Sequence, residues 1–213
     1  MVASPEIIEV PPDKLPTVVT CLQMLERPIK FDTYDHADFH LIPHPKPDLN
    51  WYLSLYRHVG ASWLWSWRLA LPRDELSRIV HDPRVDVFSL RYQDSDEGLL
   101  ELDFRNDKEC ELKLLGVSAS LIGAGAGRWL MRHALHIAWN KSIDRMWLHT
   151  CSMDHPAALN FYIQSGFTPY RRYVEIADDP RPIGLLPIGS GKHVPLLVSH
   201  GDAAASRGDA SSG

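Results

Sequence analysis

LIGAGAGRWLM, residues 121–131, decides how the rest of the chain is read. Glycines 123, 125 and 127 alternate with Ala124 and Ala126, and Arg128 then opens an apolar run with helical spacing. A helix N-terminus carries unpaired N–H groups and about half a positive charge, so it attracts phosphate. Glycine lets those amides approach an anion with no Cβ in the way. Arg128, Arg132 and His136 fall on one face of the expected helix, opposite a core stripe of Leu130, Met131, Ala134, Leu135 and Ala138. The competing view is that the glycines only permit close packing and the basic face is merely solvated. A dinucleotide fingerprint needs G-x-G-x-x-G after an early parallel strand, and the spacing here is wrong. LPIGSGKH, residues 186–193, suggests a phosphate loop but lacks its first glycine and its hydroxyl residue.

Outward from the loop, periodicity gives a succession of elements. Upstream, VDVFSLRYQ (85–93), GLLELDFR (98–105) and ECELKLLGV (109–117) alternate as strands, joined by short polar turns, and predict an antiparallel meander. Before them, residues 50–71 are aromatic-rich and predict a helix broken near Gly60, and PRDELSRIVHD (72–82) predicts a short one. TVVTCLQMLE (17–26) reads as a strand, and the proline-rich stretch 27–50 as a long loop. Downstream, a helix to about Asn140 is followed by the strand DRMWLHTC, the helix HPAALNFYIQSG and the strand FTPYRRYVEI. The order predicts one α/β (α+β) domain whose single sheet has one crossover near its middle. The expected divisions are a proline-rich extension over 1–16, the domain over 17–177, a C-terminal extension over 178–198 and a disordered tail over 199–213.

Composition excludes several classes. The 213 residues are 45% hydrophobic and 23% charged, as in an ordinary globular chain, and no apolar run reaches the length a spanning helix needs. The N-terminus has neither the basic start nor the apolar stretch of a signal peptide. Three scattered cysteines suit a reducing compartment, so a cytoplasmic location is expected. A net charge of −5 gives no footprint for nucleic acid. His36, His40 and His44 have the spacing of helix-borne ligands, but Pro43, Pro45 and Pro47 disrupt any helix there, and no metal is expected.

VSASLIGAGAGRWLM resembles the acetyl-CoA motif of the GNAT N-acetyltransferase superfamily, in which a strand ending in valine precedes Q/R-x-x-G-x-G/A at a helix start. Val117, Gly125 and Gly127 occupy the matching positions, and RMWLHTCSMDHPAALNFYIQSGF resembles the family's second half. The resemblance implies a GNAT-like mixed, mostly antiparallel sheet flanked by helices, with acetyl-CoA as cosubstrate. It implies that the backbone of Leu115, Gly116 and Val117 holds the pantetheine arm. It further implies that Ile122, Gly123, Ala124, Gly125, Ala126, Gly127 and Arg128 wrap the pyrophosphate. Ile122 stands at the family's Gln/Arg position and Ala124 where a basic residue is frequent, so backbone amides carry the binding. His155 replaces a frequent Asn, with the pantetheine arm or a helix cap as its expected partner.

The resemblance makes Tyr162 the general acid beside the sulfur. It makes Glu111 the acceptor of the amine proton, with Glu101 and Asp103 as substitutes. Even spacing predicts that Glu111 and Val117 share one face. His149 and Cys151 end the strand close to the acyl group, and Cys151 is expected to be a packed thiol. The expected function is N-acetylation of a primary amine on a small molecule or protein by direct attack in a ternary complex. A non-catalytic acyl-CoA-binding regulator is the alternative. The acceptor and the oligomeric state stay open, with a homodimer among the alternatives.

Overall fold

The computed structural model describes residues 4–28 and 36–197. Residues 1–3, 29–35 and 198–213, which include the expected tail, lie outside them. Seven strands form one sheet in the order β2-β3-β4-β5-β6-β1-β7. β1 spans Lys14–Met24 and β2 Phe39–Pro43, followed by helices α1 (Leu49–Gly60), α2 (Trp67–Ala70) and α3 (Arg73–Val80). The meander follows as β3 (Val85–Tyr92), β4 (Ser95–Asp103) and β5 (Glu109–Val117). Helix α4 (Ala126–Trp139) crosses over to β6 (Arg145–Cys151), and α5 (Ala158–Gln164) leads to β7 (Thr168–Asp178). Only β5–β6 pairs parallel among the described ladders.

β2 corrects the sequence reading, which has this stretch as loop. Prolines 43, 45 and 47 mask it, yet a five-residue strand at the sheet edge tolerates a terminal proline. Its Phe39 is buried against the Trp129 ring, with centroids 5.8 Å apart. β1 also starts earlier than read, with Pro16 inside it. β6 ends at Cys151, opposite Val19, so no strand lies beside Pro16 on that side to need its missing N–H.

Two cores cover the two faces. On one, the α4 stripe of Ala126, Leu130, Ala134, Leu135 and Ala138 packs on Leu100, Leu102, Cys110 and Leu112. On the other, Tyr52, Leu55, Tyr56 and Val59 of α1 meet Leu99 and Leu114. Asp48 caps α1, its Oδ1 accepting from the N–H groups of Asn50 (3.0 Å) and Trp51 (2.9 Å). Beyond β7, the chain folds back on the domain: Asp179 and Arg181 form a buried ion pair, and Leu186 packs on Leu15 and Leu64.

Candidate active site

The site begins with a fault in the sheet. β5 and β6 pair only from Glu109–Arg145 to Glu111–Trp147. Immediately beyond, Leu102 faces Leu112 but Glu101 faces Leu114, so Lys113 is an extra residue, a β-bulge that bends β5. The strands part there, and the β5 edge beyond Glu111 has no β6 partner. The bulge also reverses the side-chain alternation. Leu112 belongs to the α4-side core and Leu114 to the α1-side core, while Val117 packs on the α4 side. Glu111, which alternates with the α4-side residues Cys110 and Leu112, is therefore on the face opposite Val117, and even spacing does not put the two together.

A cleft of about 220 Å³ fills the opening, lined among others by Lys113, Leu115, His149, Asp154 and Tyr162. The rings of Trp63, Trp65 and Trp67 wall one side. Trp65 sits there because two glycines make room: a Cβ at Gly60 would stand 2.5 Å from its ring, and one at Gly116 2.9 Å. Its indole N–H donates to Asp154 Oδ1 at 3.1 Å. Asp154 Oδ2 accepts from Thr150 Oγ1 at 2.7 Å and from the Cys151 N–H at 2.9 Å. A larger groove of about 520 Å³ beside His44, Trp51 and Arg91 is remote from this gap, and its Asp96 already accepts from Trp51, Ser89 and Arg91.

Tyr162 comes from α5, half-buried against the α4-side core. Burial, and behind it the charge of Asp154, push its phenol well above the ordinary range, so it stays protonated at neutral pH. Glu111 accepts from Lys113 Nζ at 2.9 Å and lies 3.6 Å from His149 Nδ1. Burial alone would raise its carboxyl, but His149 and the Lys113 ammonium overcome that and hold it below the usual value. Only 11% of the Glu111 side chain is exposed, against 39% for His149, which lines the cleft. His149 is thus the group of this pair that meets the cleft. Glu101 is fully buried and bound to Arg68 and Tyr52, and Asp103 is engaged by Arg105, so neither faces an incoming amine.

A turn over Ala119–Leu121 carries the chain from β5 into the glycine loop. Ile122 to Gly125 are exposed, and Gly123 and Gly125 have φ of 85° and 86°, the left-handed region that disfavours other residues. Gly125 caps α4 without a side-chain bond, so the first-turn amides of Ala126, Gly127 and Arg128 face outward. A Cβ at Gly123, Gly125 or Gly127 would meet nothing within 4 Å. Packing therefore gives no reason for a glycine at 127, inside a regular helix where it costs about 1 kcal/mol against alanine. The space above these first-turn amides is open, the arrangement in which a helix N-terminus can receive an anion. His155 does not cap α5, whose N-cap Ala157 has no side-chain cap bond; its Nδ1 accepts from the Ala157 N–H at 3.1 Å in the turn before the helix, and its ring stands edge-on to Trp63. Among the described residues no cluster of His, Cys, Asp and Glu is arranged to hold a metal.

A splayed parallel strand pair, a bulge and a glycine loop opening a helix place the site within an α/β domain built on one mixed, mostly antiparallel sheet. The profile of the acetyltransferase (GNAT) family matches residues 52–167, more than half of the chain, and the protein belongs to that family. It is 33% identical over 79 residues to a mycothiol acetyltransferase from Jonesia denitrificans, a stretch that is 37% of this chain and 25% of that protein. A GCN5-related N-acetyltransferase from Sphaerobacter thermophilus superposes with a TM-score of 0.57 at 12% identity, over 76% of this chain and 51% of that one. A putative GNAT acetyltransferase from Novosphingobium aromaticivorans gives 0.55 at 12% identity, over 82% and 71%. The chain thus spans a quarter to about half of the first two.

Proposed function

We propose that this protein transfers the acetyl group of acetyl-CoA to a primary amine by direct attack in a ternary complex. The observation that carries the reading is the opening between β5 and β6, with a glycine cradle at one end and a proton donor and acceptor across it. The amides of Gly125 to Arg128 bind the pyrophosphate, and the unpaired edge around Leu115, Gly116 and Val117 hydrogen-bonds the pantetheine arm as a neighbouring strand would. Acetyl-CoA supplies the activated acyl group. Tyr162 gives its proton to the departing sulfur, a role its raised pKa suits because the phenol keeps its proton until needed. His149 takes the proton of the amine, directly or through water, with Glu111 steadying the resulting imidazolium.

The acceptor is a small molecule or an exposed protein amine that enters beside the tryptophans. Cys151 stays a thiol, since burial first and Asp154 second push its pKa up to about 11. The free Cys21, Cys110 and Cys151 suit a reducing cytoplasm.

Calorimetric titration with acetyl-CoA, with NADH as comparator, tests the cradle, and release of free thiol across a panel of primary amines tests turnover. Binding with turnover that Tyr162→Phe reduces supports the enzyme. Binding without turnover on any amine favours the regulator alternative, and no binding overturns both.

A further inference from the structure

Among the described residues, one long sheet edge has no neighbour. β7 ends the sheet, and all eleven of its residues are exposed. Val174 is 60% exposed, Ile176 44%, and Val18, opposite Val174 in the ladder, 45%. A long edge with exposed apolar side chains is a template for another strand. The opposite edge, β2, is blunted by its five-residue length and terminal Pro43.

The backbone shows which residues of β7 offer their hydrogen-bonding groups outward. The Val18 N–H donates to Ser152 Oγ and its C=O accepts from the Ser152 N–H, so both point away from β7. Val18 and Val174 are therefore a non-hydrogen-bonded pair, and Val174 turns its N–H and C=O to the open edge, as do Arg172 and Ile176. The ladder is regular from Arg171 onward, because the register shift falls at Tyr170.

A second β7 pairing antiparallel on this edge sets residues of like orientation opposite each other, so a two-fold axis passes through a residue. An axis at Arg172 opposes two guanidinium groups, and one at Glu175 opposes two carboxylates. An axis at Val174 sets Arg171 against Ala177 and gives no ion pair. With the axis at Tyr173, Arg171 faces the partner's Glu175, and by symmetry this pair forms twice. Arg172 then exchanges backbone hydrogen bonds with the partner's Val174.

We propose that the protein forms an isologous homodimer through β7, with the two strands antiparallel about Tyr173 and the two sheets joined into one. Glu175 also lines the cleft, so the partner's Arg171 stands at its rim. This proposal is independent of the acetyl-transfer reading.

Sedimentation velocity across a dilution series tests it. The wild type sediments as a dimer. Arg171→Glu and Glu175→Arg each oppose like charges at two symmetric places and weaken the dimer roughly tenfold. The double reversal, Arg171→Glu with Glu175→Arg, restores it. Circular dichroism checks that each variant is folded. Tyr173→Cys provides a second readout, because the axis brings the two thiols within disulfide reach and mild oxidation links the copies covalently. A wild type that stays monomeric, a dimer indifferent to both reversals, a double reversal that fails to restore, or a Tyr173→Cys variant that does not cross-link overturns the arrangement.

Discussion

The Trp65 indole nitrogen donates to Asp154 Oδ1 across 3.1 Å, tying the loop after α1 to the end of β6 over the mouth of the cleft. Asp154 holds the Thr150 hydroxyl and the Cys151 amide as well, so one carboxylate fixes both the tryptophan wall and the strand end. Its charge also raises the pKa of Tyr162.

Replacing Asp154 by alanine leaves three donors short of a partner. The expected loss of stability is about 1–3 kcal/mol, read as a lower urea midpoint at unchanged slope. Trp65→Phe keeps two of the three donors on Asp154 and costs about 1 kcal/mol. Equal losses in the two variants would show that Asp154 is not the shared anchor.

Gly127→Ala separates the two explanations of the glycine loop. Nothing lies within 4 Å of the added Cβ and the backbone is helical, so the variant gains up to about 1 kcal/mol of stability. Acetyl-CoA affinity falls, because the methyl group occupies the approach to the amides. Calorimetry and thermal melting on the same sample check both signs. Stability lost with affinity intact would mean that the glycine serves packing.

The meander and the crossover helix were legible because their apolar periods are clean. Glu109–Leu114 alternates polar with buried apolar residues, and the α4 stripe keeps helical spacing. β2 was not legible, since its Phe39–Ile42 run is short and sits among prolines and aspartates. The bulge at Lys113 leaves no trace in composition, having neither glycine nor proline, and it alone turns Glu111 away from Val117. Asp154 escaped notice because its bond to Trp65 joins residues 89 apart in the chain, and Arg68 because a cation amid tryptophans looks solvated until Glu101 is found beside it. The family resemblance singled out Tyr162, which lines the cleft, and the glycines, which lie at the start of α4, whereas the placement of His149 beside Glu111 required the three-dimensional register of β5 and β6.

Arg68 and Glu101 are both almost completely removed from water and bound to each other, with the Tyr52 hydroxyl donating to the second carboxylate oxygen at 2.5 Å. Arg68→Met strands a buried carboxylate and costs about 3–5 kcal/mol. Adding Glu101→Leu removes that charge and recovers most of the loss. The double-mutant cycle in urea measures the coupling, and a double variant no better than Arg68→Met would show that backbone disruption, not the stranded charge, sets the cost.

His149 and Glu111 divide the proton-accepting work differently from a lone carboxylate. His149→Asn removes the group that meets the cleft, and kcat is expected to fall by about 10²–10³-fold. Glu111→Gln keeps the imidazole that meets the cleft and removes only the carboxylate 3.6 Å from its Nδ1, so the loss in kcat is expected to be smaller, about tenfold. The groups facing His149 are Glu111 and Lys113 on β5, Cys21 opposite it on β1, and Cys151 on its own strand. A kcat unchanged in Glu111→Gln would separate the carboxylate from the proton path, and one lost as fully as in His149→Asn would make the carboxylate the acceptor.

Alkaline pH is expected to loosen the fold around the cleft, and the sign follows from which form burial favours. The Cys151 thiol is raised to about 11, and the Tyr162 phenol is raised further by burial and by Asp154. In both, the folded protein holds its proton more tightly than the unfolded chain. Their contribution is therefore complete below the unfolded values, near ~8.5 for a thiol and ~10 for a phenol. It is lost as pH rises through the folded ones. The same shift keeps Cys151 a poor nucleophile at neutral pH, so alkylation by iodoacetamide is slow there and accelerates up to about pH 11. Mass spectrometry of the modified peptide across pH 7 to 11 follows it. Rapid alkylation at pH 7 would contradict the burial of this thiol and reopen a covalent acyl-cysteine route.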